Sequence, residues 1–169
     1  MPDRTERERI HGPGGRSARS EKQPIAENRK AFHDYHLLET FEAGMVLLGT
    51  EVKSIREGGA NLRDSFARIE SGEVWVYNIH ISPYRNRGYS DHDPKRRRKL
   101  LLHRQEIRKL IGKTTERGMT IVPVRMYLKN GRVKIAISLA KGKKAHDKRE
   151  TIKRRETARE TRAAVKERR

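Results

Sequence analysis

The sequence predicts a mainly β domain, a small antiparallel barrel with about three flanking short helices and a basic tail. Three observations predict it. Around Ser71-Gly72, Phe66 and Arg68 alternate with Ala67 and Ile69, then Val74 and Val76 with Trp75 and Tyr77, which is the period of two paired strands and a turn. The pattern returns over residues 119–140 about Lys129-Asn130-Gly131, where Asn-Gly accepts the positive φ values of a tight hairpin. Apolar residues at helical spacing come only in short runs, so several strands and a few helices must share one core.

Taken in order, residues 1–23 are polar, charged and glycine-rich and have no core to join, so they read as a flexible arm. From Pro24 the stretch PIAENRKAF places Pro at a first helical turn with Ile25, Ala26 and Phe32 as apolar positions, which predicts a short helix. DYHLLETFEAGMVLLG follows as a strand with a kink invited by Gly44. TEVKSIREGG has Val52 and Ile55 three apart and then two glycines, a short helix with its stop signal. After the first hairpin a loop spans residues 85–94, and KRRRKLLLHRQEIRKLIGK puts Leu102, Ile107 and Leu110 near helical spacing, predicting a helix that ends at Gly112. The second hairpin closes the domain at Ala140. The chain therefore divides into an arm (1–23), a barrel (24–140) and a tail (141–169).

Composition narrows the function. A chain of 169 residues suits one compact domain with extensions. With 33% hydrophobic and 37% charged residues, part of it has too little apolar surface to fold alone. The net charge of +19 favours polyanions, nucleic acid first. A membrane surface is a poorer partner, because the basic segments lack the Trp, Phe or Leu face of an anchoring helix. No cysteine is present, which excludes disulfides, thiol catalysis and cysteine-based zinc sites, and no secretory leader is visible, so the cytoplasm is the expected location.

Catalytic signals are thin. No phosphate loop, nucleophile elbow or dinucleotide fingerprint occurs. His33 and His36 are spaced to share a helix face, yet polar surface histidines are the simpler reading. Asp91, His92 and Asp93 would serve a metal-dependent nuclease, although a Gly-rich loop ending in Asp-Pro is more simply a turn. No cofactor or metal is expected. Binding signals are stronger. Lys95, Arg96, Arg97, Arg98 and Lys99 form an unbroken cationic row that calls for a nearby anion, and Trp75, Tyr84 and Tyr89 lie near such clusters as possible stacking partners, although a hairpin tryptophan is more often core. From Lys141 onward thirteen Lys and Arg stand against five Asp and Glu, a balance of +8. Glu150 lies four residues before Arg154 and only Ile152, Ala158 and Val165 make a faint apolar line, so the tail has helical propensity but is expected to be disordered alone and to fold on a polyanion.

Several longer stretches carry a family resemblance: ENRKAFHDY at 27–35, GTEVKSIREGGANLRDSF at 49–66, IHISPY at 79–84, DPKRRRKLLL at 93–102 and KGKKAHDKR at 141–149. Over residues 27–155 the chain resembles the SmpB family, the SsrA-binding proteins of bacterial trans-translation. The resemblance implies an oligonucleotide-binding (OB) type of barrel that holds the tRNA-like domain of transfer-messenger RNA (tmRNA). It further implies delivery of that RNA, with elongation factor Tu and GTP, to ribosomes stalled with an empty decoding site. There the tail enters the mRNA channel as a helix against small-subunit rRNA, and the nascent peptide is tagged for degradation. A monomeric, non-enzymatic adaptor is expected.

Carried over by position, the family's RNA contacts fall on Glu42, Leu101 and Lys134, with His103 where many members carry Asn. Imidazole donates or accepts one hydrogen bond but lacks the paired donor and acceptor of an amide. The cationic row Lys95, Arg96, Arg97, Arg98 and Lys99 joins this expected RNA surface. In the tail the segment implied to work near the decoding centre comprises Gly142, Lys143, Lys144, His146, Asp147, Lys148 and Arg149, followed by Lys153 and Arg154. The rival reading is a constitutive ribosomal protein or RNA chaperone, which the same basic tail would suit.

Overall fold

The computed structural model describes residues 23–84, 92–115 and 118–144 and, in the tail, residues 147, 149–150, 152–154 and 156–159. The chain order is β1 (Gln23–Glu27), α1 (Arg29–Asp34), β2 (Tyr35–Met45), α2 (Gly49–Arg56), β3 (Ala60–Asn61), β4 (Phe66–Glu70), β5 (Glu73–Tyr77), β6 (His80–Ile81), β7 (Arg98–Leu101), α3 (Arg104–Thr114), β8 (Met119–Lys129) and β9 (Arg132–Gly142). The main sheet runs β1-β8-β4-β5-β7-β2-β9, and β9 also pairs with β8. That last pairing closes a ring of antiparallel strands, as an OB-type barrel requires, and closure removes most of the unpaired edge. The added strand β1 lies along the second half of β8, with Gln23 opposite Leu128 and Glu27 opposite Arg125.

Both predicted hairpins form. Ser71 and Gly72 have φ of 49° and 77°, and Asn130 and Gly131 have φ of 51° and 72°, the paired positive values whose twist matches that of the flanking strands. Along each strand alternate residues enter the ring. Phe41, Ala43 and Met45 of β2, Val74 and Val76 of β5, Leu100 of β7 and Ile135 and Ile137 of β9 meet there with Ile55 of α2 and Leu110 of α3. Burying each large aliphatic side chain contributes roughly 1.5–3 kcal/mol.

Two expected helices are corrected. Residues 24–27 belong to β1, and helix α1 starts only after Asn28. Asn28, 5% exposed, accepts from the Ala31 N–H through Oδ1 at 3.0 Å and donates through Nδ2 to the Leu62 and Pro123 carbonyls at 2.9 and 3.0 Å. The cap, not the proline, sets the start of this helix, and Pro24 sits in an outer strand that tolerates its missing N–H. Likewise residues 98–101 are strand β7, between β5 and β2, and helix α3 begins at Arg104 and runs through Gly112 to Thr114. The alternation of β7 was disguised because one of its inward positions is an arginine.

That arginine belongs to a buried ionic cluster. Arg98 and Glu51 are both 0% exposed. Arg98 donates from Nε to Glu51 Oε1 at 2.9 Å, from Nη1 to the Ile79 and Arg96 carbonyls at 2.8 and 3.0 Å, and from Nη2 to the Pro94 carbonyl at 3.1 Å, with Nη2 in an ion pair 2.8 Å from Glu51 Oε1. Glu51 also accepts from Arg96 Nε at 2.8 Å and from the Leu48 N–H at 2.8 Å. Each nitrogen of the guanidinium has a hydrogen-bond partner. Burial pushes the Glu51 carboxyl up, but the Arg96 hydrogen bond, the Leu48 N–H and Arg98 together hold it below its ordinary value.

The kink expected at Gly44 lies elsewhere: the register of β2 on β9 slips between Leu37 and Glu39. Strand β9 continues past Ala140 to Gly142, pairing with Tyr35 of β2, so the barrel extends two residues into the stretch assigned to the tail.

Candidate nucleic-acid interface

Outward positions of the ring bring together residues far apart in sequence. Gly44 of β2 pairs with Leu101 of β7 on one side and with Lys134 of β9 on the other, and Lys134 pairs in turn with Tyr127 of β8. One transverse row therefore reads Leu101, Gly44, Lys134, Tyr127. In the neighbouring row Glu42 lies opposite Ala136, and Ala136 opposite Arg125. The expected contacts Glu42, Leu101 and Lys134 thus share one face. Gly44 is the hinge of this arrangement, because a Cβ there would stand 3.3 Å from Leu101 Cβ.

The face has distinct chemical parts. Glu42 accepts hydrogen bonds from the Tyr127 hydroxyl and, at 2.8 Å, from Lys129 Nζ. Burial first, and then the Glu42 carboxylate, push the Tyr127 phenol far above its ordinary value, so it stays protonated and donating. Leu101 is 53% exposed, an apolar platform beside Lys134, for which no ion pair is found among the described residues. Next to Glu42 a cleft of about 690 Å³ is lined by Phe32, Leu37, Thr40, Arg125, Tyr127 and Ala136 among others, with the Arg125 guanidinium 5.7 Å from the Phe32 ring centre. His103 is exposed at the N-cap of α3, two residues beyond Leu101, its N–H held by Glu106 at 2.9 Å.

The cationic row does not act as one strip. Arg98 is buried and fully bonded inside the protein, so it cannot touch an RNA, which corrects its expected role. Arg96 turns to Glu51. Arg97 lies over the Trp75 ring at 4.9 Å and reaches Glu70 at 3.3 Å, and Lys99 pairs with Glu73. Lys95 is exposed in the turn that Asp93 caps by accepting from its N–H at 2.9 Å. The anion that the row called for is supplied largely by the chain itself.

At the root of the tail, the Lys143 N–H donates to the Asp34 carbonyl at 2.9 Å and its Nζ to the Phe32 carbonyl at 3.1 Å. Asp147 lies 3.3 Å from His36 Nε2 and accepts from the Lys144 N–H at 3.3 Å. His146 and Lys148 fall outside the described residues. Arg149, Lys153 and Arg154 are exposed in helical stretches, with Arg154 donating to Glu150 at 2.8 Å, the pair expected from the spacing.

The nuclease alternative finds little geometry. Asp91 is outside the described residues, His92 is buried between Thr50 Oγ1 and the Ile81 carbonyl at 3.2 Å each, and Asp93 serves its turn. Among the described residues no three His, Asp or Glu side chains converge. His33 pairs with Asp34 while His36 faces Asp147, so the two histidines do not point to one ion. Sequence reasoning missed Gly44, Tyr127 and Arg125, whose parts depend on cross-strand register. The one signal in the sequence was a glycine inside a strand, which often marks a close approach.

The family model described as SmpB protein matches residues 25–167. An SsrA-binding protein of Carboxydothermus hydrogenoformans is 60% identical over 144 residues, covering 85% of this chain and 97% of that one. One from Geobacillus kaustophilus is 57% identical over 150 residues, covering 89% and 97%. A solved structure described as "tmRNA-SmpB: a journey to the center of the bacterial ribosome" superposes with a TM-score of 0.62 at 50% identity, covering 72% of this chain and 86% of that one.

Proposed function

The chain belongs to the SmpB family, and from that premise we propose how its surface works as an RNA-binding adaptor of trans-translation. It binds tmRNA and acts with it on the ribosome. The observation that carries the division of labour is the outward row of Leu101, Gly44, Lys134 and Tyr127 with Glu42 beside it. Lys134 neutralises a phosphate of the tRNA-like domain, Leu101 packs on a ribose or base, and Glu42 accepts from base amino groups or 2′-hydroxyls. His103, Lys95 and the exposed parts of Arg97 and Lys99 extend this surface. Arg96 and Arg98 hold β7 in place.

The tail serves the ribosome. Lys143 fixes its root on the barrel, and Lys144, His146, Lys148, Arg149, Lys153 and Arg154 meet small-subunit rRNA at the decoding centre, the helix filling the empty mRNA channel. Gly142 ends the last strand, and Asp147 turns the tail at its root. The complex arrives with elongation factor Tu and GTP, and the protein acts in the cytoplasm as a monomer without catalysis of its own. No helix of the described residues is long and apolar enough to cross a membrane.

Changing Lys148 and Arg149 together to Ala should leave affinity for the tRNA-like domain within about twofold, since both lie beyond the barrel, but stop peptide tagging on stalled ribosomes. A parallel loss of RNA affinity would overturn the division between barrel and tail.

A further inference from the structure

The outer face of β4, β5 and β7, which meets the proposed RNA surface at Arg97 and Lys99, has the pattern of a base-stacking sheet. Phe66 pairs with Tyr77, Arg68 with Trp75, and Trp75 with Lys99. These side chains point away from the core, for the alternate residues Ala67, Val74, Val76, Arg98 and Leu100 are the buried ones. Aromatics and cations are interleaved. The Phe66 and Tyr77 rings stack with centres 5.4 Å apart and planes 12° apart, Arg68 lies 5.1 Å from the Phe66 ring centre, and Arg97 lies 4.9 Å from that of Trp75. Of the two readings the sequence allowed for Trp75, core or stacking partner, the core one fails: the side chain is only partly buried, on the outside.

Two features indicate which part of a nucleic acid fits. Glu70 reaches Arg97, and Glu73 pairs with Lys99, so this face offers little free positive charge for a phosphate. Flat surfaces remain: the Arg97 side chain is 59% exposed over the ring, its guanidinium held from both sides by Glu70 and Trp75. Unpaired bases stack on aromatic rings and on guanidinium planes alike. The face is also continuous with the row proposed above, since Lys99 and Leu101 are neighbours on the same side of β7 and Leu101 pairs with Gly44. At about 4.8 Å between strands, Trp75 is on the order of 10 Å across the surface from Gly44.

We propose that Trp75 and Arg97 form a stacking site for an unpaired nucleotide of the bound RNA, next to the Glu42 and Lys134 contacts. The inference rests on the reading of this chain as a tmRNA-binding adaptor. The occupant is a base whose own phosphate lies toward Lys134 or Lys95, clear of Glu70 and Glu73.

Trp75 is the single tryptophan of the chain, so its fluorescence reports on the site directly. The full chain is titrated with the isolated tRNA-like domain of tmRNA, following tryptophan emission and, separately, affinity by filter binding. Emission is expected to be quenched in step with binding. Trp75→Leu should weaken affinity roughly tenfold, the order expected for one stacked base, while Trp75→Phe keeps most of it. Lys134→Ala should weaken binding yet leave the quench at saturation intact. Thermal melting of each variant shows that the fold is kept. Unchanged emission at saturating RNA, or wild-type affinity in Trp75→Leu, overturns the stacking site and leaves the adaptor reading standing. Absence of selective binding by the unaltered chain overturns both. Emission that changes with ribosomes but not with the RNA would reassign the face to the ribosome and likewise overturn the proposal.

Discussion

Replacing Glu51 by Gln should be among the most damaging single changes in this molecule, although the side chains are nearly the same size. The carboxylate is 0% exposed and faces Arg98, also 0% exposed, at 2.8 Å, with Arg96 donating to the same oxygen at 2.8 Å. In the variant Arg98 keeps the carbonyls of Ile79, Arg96 and Pro94, but its charge is left in the interior without a counter-ion. Breaking a buried pair from one side costs about 3–5 kcal/mol. Against a total stability of roughly 5–15 kcal/mol, that is a large fraction, equivalent to a fall in melting temperature on the order of 10–20 °C. The carboxyl is held below its ordinary value of 4.5 in the fold, so its contribution is present above the unfolded value and lost as pH falls through the folded one. Urea unfolding followed by circular dichroism at pH 7 and at successively lower pH measures both effects. Because Glu51→Gln has no such proton to gain, the gap between the two proteins should narrow as the solution is acidified. Adding Arg98→Met to Glu51→Gln should recover part of the loss by removing the stranded charge. A cost under about 1 kcal/mol at neutral pH, or a gap that widens on acidification, would refute the reasoning.

Gly44→Ala should cost little stability, about 1 kcal/mol, yet lower affinity for the tRNA-like domain, because its Cβ at 3.3 Å from Leu101 Cβ displaces that side chain; stability and affinity measured on one preparation separate the two. Asn28→Ala removes a cap and two buried donations to the Leu62 and Pro123 carbonyls, and should lower stability by roughly 2–4 kcal/mol in denaturant titration. Lys134→Ala should reduce the slope of log affinity against log salt by about one, as expected on losing one phosphate contact. Tail amides over residues 149–159 should exchange freely in the isolated protein, since the described helical residues 149–150, 152–154 and 156–159 are all exposed and a helix without a packed face is marginal; strong protection there would contradict it.

Much of the barrel could be read directly from the chain, because Ser71-Gly72 and Asn130-Gly131 announce their turns and the flanking strands alternate. What failed to show has physical causes. Pro24 looks like a helix start, but the helix is set by Asn28, whose amide reaches carbonyls at positions 62 and 123 that no local window contains. Arg98 in an inward position hid a strand, since a buried cation breaks the alternation and is tolerated only with Glu51 beneath it. Glu51, together with Glu70 and Glu73, explains why a run of five cations is not one binding strip. The proposed RNA face was suggested by family resemblance at Glu42, Leu101 and Lys134, whereas what brings these residues together, Gly44 pairing with two of them, depends on register between strands 7, 2 and 9. Trp75 admitted both a stacking and a core reading, since β-hairpin aromatics are usually core, and only the side of the sheet it occupies puts it outside the core.

The central claim is that the barrel holds the RNA and the tail is kept for the ribosome. It is tested most directly by comparing the full chain with a truncation ending at Lys144, which keeps the last strand and the Lys143 anchor, for binding to the tRNA-like domain of tmRNA against an ordinary tRNA at several salt concentrations. The account predicts that both bind selectively with similar affinity. Selective binding lost on truncation, or indifferent binding of both RNAs by the full chain, would contradict it.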